Sequence, residues 1–363
     1  MSKVEYKNLI AFHPGYYLKD IIGDMDMTQD EFAKRLGTSA KNLSELLSGK
    51  ITLSTSMATK LSNMLGTNID FWLNLQQTYE KKIAEIEEQK KIDEEIKICK
   101  MIDYSYFVNS SILPPTRDWI EKIKNLRVFL KISRLTVLQH EKDFLVNYRS
   151  GVNNKTLKNL INARVWVQTA INLGENVKTN NYNKEKLINS LPEIRAMTNQ
   201  APKIFFPRLR QLFSECGVSF VLIPNLKSCG INGAVKWLNH EKVILAMNDR
   251  RLYADTFWFS LFHEIKHILQ HKTKELIVSL EEKQLETFDE RLEQEADEFA
   301  RNKLIPPEEY TSFIKEGDYS LRAIEIFSQQ IGIHPGIVVG RLQKDSKIDY
   351  SQFNHLKQQY IIS

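Results

Sequence analysis

The sequence predicts a mainly α protein with a small β-sheet, an α+β chain, and three observations predict it. Short helical patterns punctuated by glycine fill the first ~75 residues. Residues 70–100 contain neither Gly nor Pro. One β-rich block lies between Val218 and Met247, and helical patterns resume at Asp255. At about 100–200 residues per domain, a chain of 363 residues should hold two or three domains. The composition divides it at 1–76, 77–100, 101–200 and 201–363.

In chain order, Pro14 suits the first turn of a helix over residues 14–25. Thr28 and Glu31 form a capping box for a second helix, Gln29 to Leu36, which Gly37 ends. Thr38 or Ser39 caps a third helix running to Ser48, with Gly49 after it. A fourth covers residues 56–65 and stops at Gly66. The stretch after Asp70 supplies the fifth helix, whose Phe71, Trp72, Leu73 and Leu75 dock on the N-terminal core. Beyond Thr78 charges dominate, with sparse Ile83, Ile86, Ile92 and Ile96, the pattern of a solvated linker helix. Pro114-Pro115 is a break. Residues 119–174 return to helical spacing (Ile120, Ile123, Val128, Leu157, Leu160, Ile161, Val165), and residues 179–183 form an Asn-rich loop. After Pro202, Val218 to Ile223 reads as a strand. Residues 234–238 and 243–247 read as two more, joined through Asn239-His240-Glu241-Lys242 as a hairpin.

A net charge of +5 is modest for this length and does not by itself indicate nucleic acid. The three cysteines (Cys99, Cys216, Cys229) are scattered and odd in number, which argues against a disulfide framework or a cysteine metal cluster. Cys229 reads as a structural thiol. The first twelve residues lack a signal-peptide apolar core, and no run approaches the ~18 apolar residues of a membrane span. The expected setting is soluble and cytoplasmic, with no membrane partner.

The most informative segment is His263-Glu264-Ile265-Lys266-His267. Histidines four apart share one helix face and can reach one divalent metal, and the adjacent Glu264 can take a proton from water activated there. A third ligand is available in Glu293-Gln294-Glu295-Ala296-Asp297-Glu298, where Glu295 is the expected ligand and Glu298 its helical neighbour. His263, His267 and Glu295 would then hold Zn²⁺ with one position open, and Glu264 would act as general base. The preceding hairpin would offer an edge strand to a substrate backbone. His271, one turn past His267, reads as a surface or supporting residue. The plain alternative is a buried helix whose histidines serve only the core.

The C-terminal region from about Pro202 resembles the ImmA/IrrE family of metallopeptidases. The likeness rests on Gly233-Ala234-Val235-Lys236-Trp237-Leu238, on the run from Asp255 to Glu264, on Glu295-Ala296-Asp297-Glu298-Phe299-Ala300, and on residues 331–343. It implies a zincin-like domain, zinc-dependent cleavage of helix-turn-helix repressors, ligands at His263, His267 and Glu295, and Glu264 as acid and base. In that family a glycine usually precedes the second histidine. Here it is Lys266, which puts a cation where it would act on metal affinity or substrate access.

The spacing of the second and third helices is that of a helix-turn-helix, with apolar Phe32, Ala33, Leu36, Leu43, Leu46 and Leu47 inside. Ser39, Lys41, Asn42 and Glu45 would face base edges in the major groove, and Gln29 and Lys50 would contact phosphate. Residues 1–100 hold 14 Lys/Arg against 15 Asp/Glu, so there is no bulk positive field. A homodimer on a palindromic operator would double the phosphate contacts. Residues 9–80 resemble the HigA-type antitoxin branch of the XRE helix-turn-helix family, through His13-Pro14-Gly15-Tyr16, Met27-Thr28-Gln29-Asp30-Glu31-Phe32-Ala33, Leu43 to Lys50, and Asp70 to Gln76. The resemblance implies a five-helix domain that binds operator double-stranded DNA and represses its own operon. Its partner would be a protein substrate, such as a helix-turn-helix repressor, or a cognate RNase-type toxin. Two functions remain open: a regulator with a working zinc endopeptidase, and a non-catalytic antitoxin or repressor whose metal domain senses or docks a partner.

Overall fold

The computed structural model describes residues 2–139, 156–249, 253–270, 276–280 and 288–360. The chain divides into two compact units, Met1–Lys97 and Ile98–Ser363. Residues 77–97 thus belong with the first unit, and residues 98–200 with the second.

The first unit opens with a hairpin of β1 (Lys3–Tyr6) and β2 (Leu9–Phe12), which the charged N-terminus did not predict. Its two-residue turn puts Lys7 at φ +53°, the left-handed geometry such tight turns favour. Five helices follow: α1 (Pro14–Asp24), α2 (Gln29–Leu36), α3 (Ala40–Leu47), α4 (Thr55–Leu65) and α5 (Ile69–Cys99). Each cap is a local sequence decision. Thr28, Ser39 and Ser54 accept backbone N–H bonds at the starts of α2, α3 and α4, and Gly37 and Gly66 end α2 and α4 in the left-handed region. Leu18, Phe32, Leu36, Leu43, Leu46, Leu61 and Trp72 form the core. Phe71, expected beside Trp72, stays 47% exposed. The outer part of α5 is not simply solvated, because the β1–β2 turn grips it: Tyr6 Oη donates to Asp93 at 2.6 Å, and Lys7 Nζ pairs with the same carboxylate.

The second unit begins with α6 (Tyr104–Asn109), α7 (Trp119–Leu130), α8 (Leu157–Glu175), α9 (Lys184–Ala196) and α10 (Pro202–Glu215). A four-stranded sheet follows, of β3 (Val218–Ile223), β4 (Ile231–Asn239), β5 (Lys242–Asn248) and β6 (Leu276–Leu280), in the order β3-β5-β4-β6. β3 runs parallel to β5, and β4 is antiparallel to both β5 and β6. The expected hairpin is present, but β4 is paired on both sides. The hairpin therefore offers no free edge, and β6 takes the outer position instead.

Alternation along β5 sorts its two faces. Val243, Leu245 and Met247 join the core with α10 and α11 (Ala254–Gln270). Ile244 points the other way, where an added Cβ on Gly174 of α8 would meet it at 2.8 Å, and Ser219 Oγ donates to Gly174 O at 2.8 Å. With both faces covered, β5 reads as a continuous apolar run. The remaining helices are α12 (Phe288–Leu304), α13 (Pro307–Glu316), α14 (Leu321–Ile331) and α15 (Pro335–Lys344). The C-terminal segment returns to the start of α11. Ala254 N–H donates to Gln358 O at 2.8 Å, Lys357 pairs with Asp255 at 2.7 Å, and Trp258 Nε1 donates to Tyr360 Oη at 2.8 Å.

One glycine decides the approach of α1 to α3. A Cβ on Gly15 would fall 2.1 Å from Leu46 O and 2.9 Å from Leu47 Cα. Gly15→Ala should destabilise the first unit by about 1–3 kcal/mol, because backbone cannot move aside as a side chain does. Gly23, in the same helix with nothing within 4 Å, gives the contrast: Gly23→Ala should stabilise by roughly 0.5–1 kcal/mol. Urea unfolding of the two variants should show midpoints moving in opposite directions.

Candidate functional site

Helix α11 carries the two histidines and is buried along nearly its whole length, by Phe257, Trp258, Leu261, Phe262, Ile265 and Ile268. Such packing fixes the rotamers of the polar residues between them. His263 and His267 stand 3.0 Å apart at their Nε2 atoms. Glu293 of α12 completes the group, with Oε2 3.1 Å from His263 Nε2 and Oε1 3.3 Å from His267 Nε2. Among the described residues, these three form a group whose ligand atoms are close enough together to hold a metal ion.

Each ring's outer nitrogen faces an acceptor. His263 Nδ1 lies 2.9 Å from Asp297 Oδ1, and His267 Nδ1 lies 3.2 Å from Gln270 Oε1. A carboxylate oxygen and an amide oxygen can only accept, so both Nδ1 atoms carry hydrogen, and the Nε2 atoms are the ones turned toward Glu293. Two imidazole Nε2 atoms and two carboxylate oxygens thus converge on one point. This donor set fits a divalent cation such as Zn²⁺, for which imidazole and carboxylate are ordinary ligands.

Without a metal, a proton takes the cation's place. Burial opposes a charge on His263, but Asp297 and Glu293 outweigh it and push its pKa up to about 10. Enclosure likewise works against ionisation of Glu293, and the two histidines win, pulling it down to about 2. The Glu293 oxygens lie against protein on the histidine side, while the side chain remains 46% exposed on the other. The site opens there.

Glu264 is 1% exposed. Gly233 of β4 makes its space: a Cβ at that position would sit 2.3 Å from Glu264 Oε1 and 2.7 Å from its Cδ. Gly233 shares the sheet face of Val235 and Trp237 and so looks toward α11.

The structure does not bring Glu295 to the histidines. Its carboxylate accepts from Gln270 Nε2 at 3.1 Å and pairs with Lys266 Nζ at 3.6 Å and Arg291 Nε at 3.4 Å. Residues two apart on a helix point about 200° apart, so Glu293 and Glu295 cannot share a face, whereas Glu293 and Asp297 do. Ala296 and Ala300, both fully buried, set the rotation of α12. The signal for Glu293 and Asp297 was present as a second i, i+4 pair facing the histidine pair. Lys266 is also accounted for, since its ammonium is engaged by Glu295. Glu298 is exposed. His271 lies outside the described residues. Cys229 is buried, with its thiol 3.8 Å from Asn225 Oδ1.

In the first unit, Gln29, Lys41 and Lys50 are exposed. Ser39 Oγ accepts from Asn42 N–H at 3.1 Å, and Asn42 Nδ2 donates to Thr38 Oγ1 at 3.0 Å, so both side chains serve the turn. Glu45 is half-buried. Ala40 and Ser44 share the outward face with Lys41 and were not singled out from the sequence; Ser44 is three residues on from Lys41. Between residues 29 and 65, five basic side chains (Lys34, Arg35, Lys41, Lys50, Lys60) stand against three acids (Asp30, Glu31, Glu45).

Residues 18–72 match the helix-turn-helix family model, and residues 231–342 match that of the IrrE N-terminal-like domain, a peptidase family. Over 74 residues the chain is 34% identical to YddM, an uncharacterized HTH-type transcriptional regulator of Escherichia coli K12, covering 20% of this chain and 77% of that one. Virulence-associated protein A' of Dichelobacter nodosus is 38% identical over 79 residues, 21% of this chain and 66% of its own. Among solved structures, an addiction module antidote protein of a HigA family from Coxiella burnetii is 33% identical, covering 23% of this chain and 91% of that one at a TM-score of 0.22. The chain belongs to the helix-turn-helix transcriptional regulators and carries in its C-terminal part an IrrE-like peptidase domain.

Proposed function

We propose that this regulator hydrolyses a peptide bond in a specific protein, using Zn²⁺ held by His263, His267 and Glu293. The observation that carries the reading is the convergence of two imidazole Nε2 nitrogens and a carboxylate beside a buried glutamate. Zn²⁺ bound there supplies Lewis acidity, polarising a carbonyl and making a water acidic near neutral pH. Glu264 takes the proton as the water oxygen bonds to the scissile carbon, and returns it to the amine nitrogen as the C–N bond breaks. Asp297 and Gln270 hold the rings in the required tautomer. The outer strand β6 is the edge against which an extended substrate backbone can pair.

In this reading the helix-turn-helix brings the activity to operator DNA, which the match of residues 18–72 to the helix-turn-helix family supports. Gln29 and Lys50 then meet phosphates. Ser39, Lys41, Asn42, Ser44 and Glu45 line the base-facing surface, and Asn42 reaches a base by releasing Thr38. A cytoplasmic homodimer matches two half-sites. The resemblance of residues 9–80 to HigA-type antitoxins supports a role as autorepressor. The protein cut would be a repressor or the cognate RNase-type toxin.

N-terminal profiling of cells expressing the wild type should reveal new protein N-termini that Glu264→Gln lacks, with cleavage down about 10²–10⁴-fold. Identical N-termini in both would leave the domain a sensor or docking module. Gly233→Ala should lower cleavage by about 10²-fold through displacement of Glu264 while zinc content, read by elemental analysis, stays at one per chain.

Lys50→Ala should weaken binding to all DNA sequences alike and reduce the salt dependence by about one phosphate contact, as read by fluorescence anisotropy over a salt series.

Stability against pH provides a further check. His263, raised above its ordinary 6.5, contributes fully below pH 6.5 and progressively less as pH rises toward about 10. Glu293, lowered from 4.5, contributes fully above pH 4.5 and loses that contribution as pH falls toward about 2. In chelator, the melting temperature of the wild type should therefore decline above pH 6.5 more steeply than that of His263→Asn. Saturating Zn²⁺ should remove the difference in slope, because the metal replaces the proton.

A further inference from the structure

We propose that Gln270 is a positioning residue for the metal centre, and that Glu295, anchored by Lys266, holds Gln270 in place. The proposal rests on the metal-site reading above. The orientation of the Gln270 amide follows from its neighbours. Its NH₂ group faces two acceptors, Leu292 O at 3.2 Å and Glu295 Oε2 at 3.1 Å. A flipped amide would set oxygen against oxygen at both. Oε1 therefore faces His267 Nδ1 at 3.2 Å and accepts its proton, which leaves the Nε2 lone pair toward Glu293 and His263.

Glu295 is fixed in turn by Lys266 Nζ at 3.6 Å and Arg291 Nε at 3.4 Å. A carboxylate paired with two cations is an acceptor for the Gln270 amide. Helix α12 thus supports both histidines. Asp297 reaches His263 directly, and Glu295 reaches His267 through one amide. Lys266, which stands where the resembling family has glycine, serves this relay as the counter-ion of Glu295. Its charge is satisfied there instead of opposing the metal.

The test is the Zn²⁺ affinity of the full chain, measured by competition with a chromophoric chelator, so that no substrate is needed. Gln270→Met keeps the side-chain length and removes the amide; it should weaken Zn²⁺ binding by about 10–100-fold. Glu295→Ala should weaken it by a smaller factor in the wild-type background and have no effect in the Gln270→Met background, because it acts through the amide. Wild-type binding that survives Gln270→Met unchanged overturns the relay and leaves the metal site standing. If His263→Ala binds Zn²⁺ as the wild type does, the metal-site reading itself fails. Should circular dichroism show Gln270→Met misfolded, Glu295→Ala decides alone, since that carboxylate is 39% exposed; unchanged affinity there overturns the proposal.

Discussion

Two imidazole Nε2 atoms held 3.0 Å apart, each ring with its Nδ1 directed elsewhere, are the constraint around which the C-terminal unit is arranged. Polar nitrogens brought together in a buried place cost desolvation, and a proton's positive charge among them and Glu293 offsets that cost. Nothing in α11 alone would keep them there. The neighbouring elements do so, each through a specific contact. Phe257, Trp258, Leu261 and Phe262 lock the helix into the core, the 357–360 segment ties down its first turn, and α12 supplies the acceptors that fix both tautomers. In the proposed site a metal ion takes the place of that proton, and its affinity would express how rigidly the fold holds the rings.

The same constraint explains two small residues. Gly233 leaves the volume that the Glu264 carboxylate fills, so the placing of a buried carboxylate on a helix depends on a missing side chain on a strand. Gly340 does the like at the other end of α11, where a Cβ would meet Asp255 at 2.7 Å and disturb its pair with Lys357. Both are close approaches of backbone to a charged group, and neither requires an unusual backbone angle.

Local signals were legible and relational ones were not. The helix boundaries of the first unit followed from Thr28, Gly37, Ser39 and Gly66, because a cap is decided within four residues. The histidine pair and Glu264 were legible for the same reason. The third carboxylate was not: four acidic residues between Glu293 and Glu298 offer two overlapping i, i+3 or i, i+4 readings, and only the packing of Ala296 and Ala300 chooses between them. The sheet edge was missed because β6 is five residues long and its identity as a strand depends on pairing with β4, 40 or more positions earlier in its register. The β1–β2 hairpin is shorter still, and its alternation is carried by four residues a side. Lys266 illustrates the limit best. Beside the histidines in sequence it reads as an intruding charge; beside Glu295 in space it is half of an ion pair.

One local pattern occurs twice, with opposite outcomes. In the first unit α2 ends at Gly37 in the left-handed region, two residues intervene, and α3 begins at Ala40. In the second, α14 ends at Gly332 in the same region, two residues intervene, and α15 begins at Pro335. Phe32 and Phe327 each precede the glycine by five, and Leu43 and Val338 each follow it by six; all four are buried. Yet α3 exposes Ala40, Lys41 and Ser44, whereas Gly336, Ile337, Val338, Val339 and Leu342 of α15 are buried against the core that contains α11. A turn that can set a reading helix into a groove is here also used to brace the helix that carries both histidines. What separates the two roles is the outward face, polar and free in α3 and apolar and covered in α15. The assignment of DNA contact to the first copy therefore rests on that face and not on the motif's geometry.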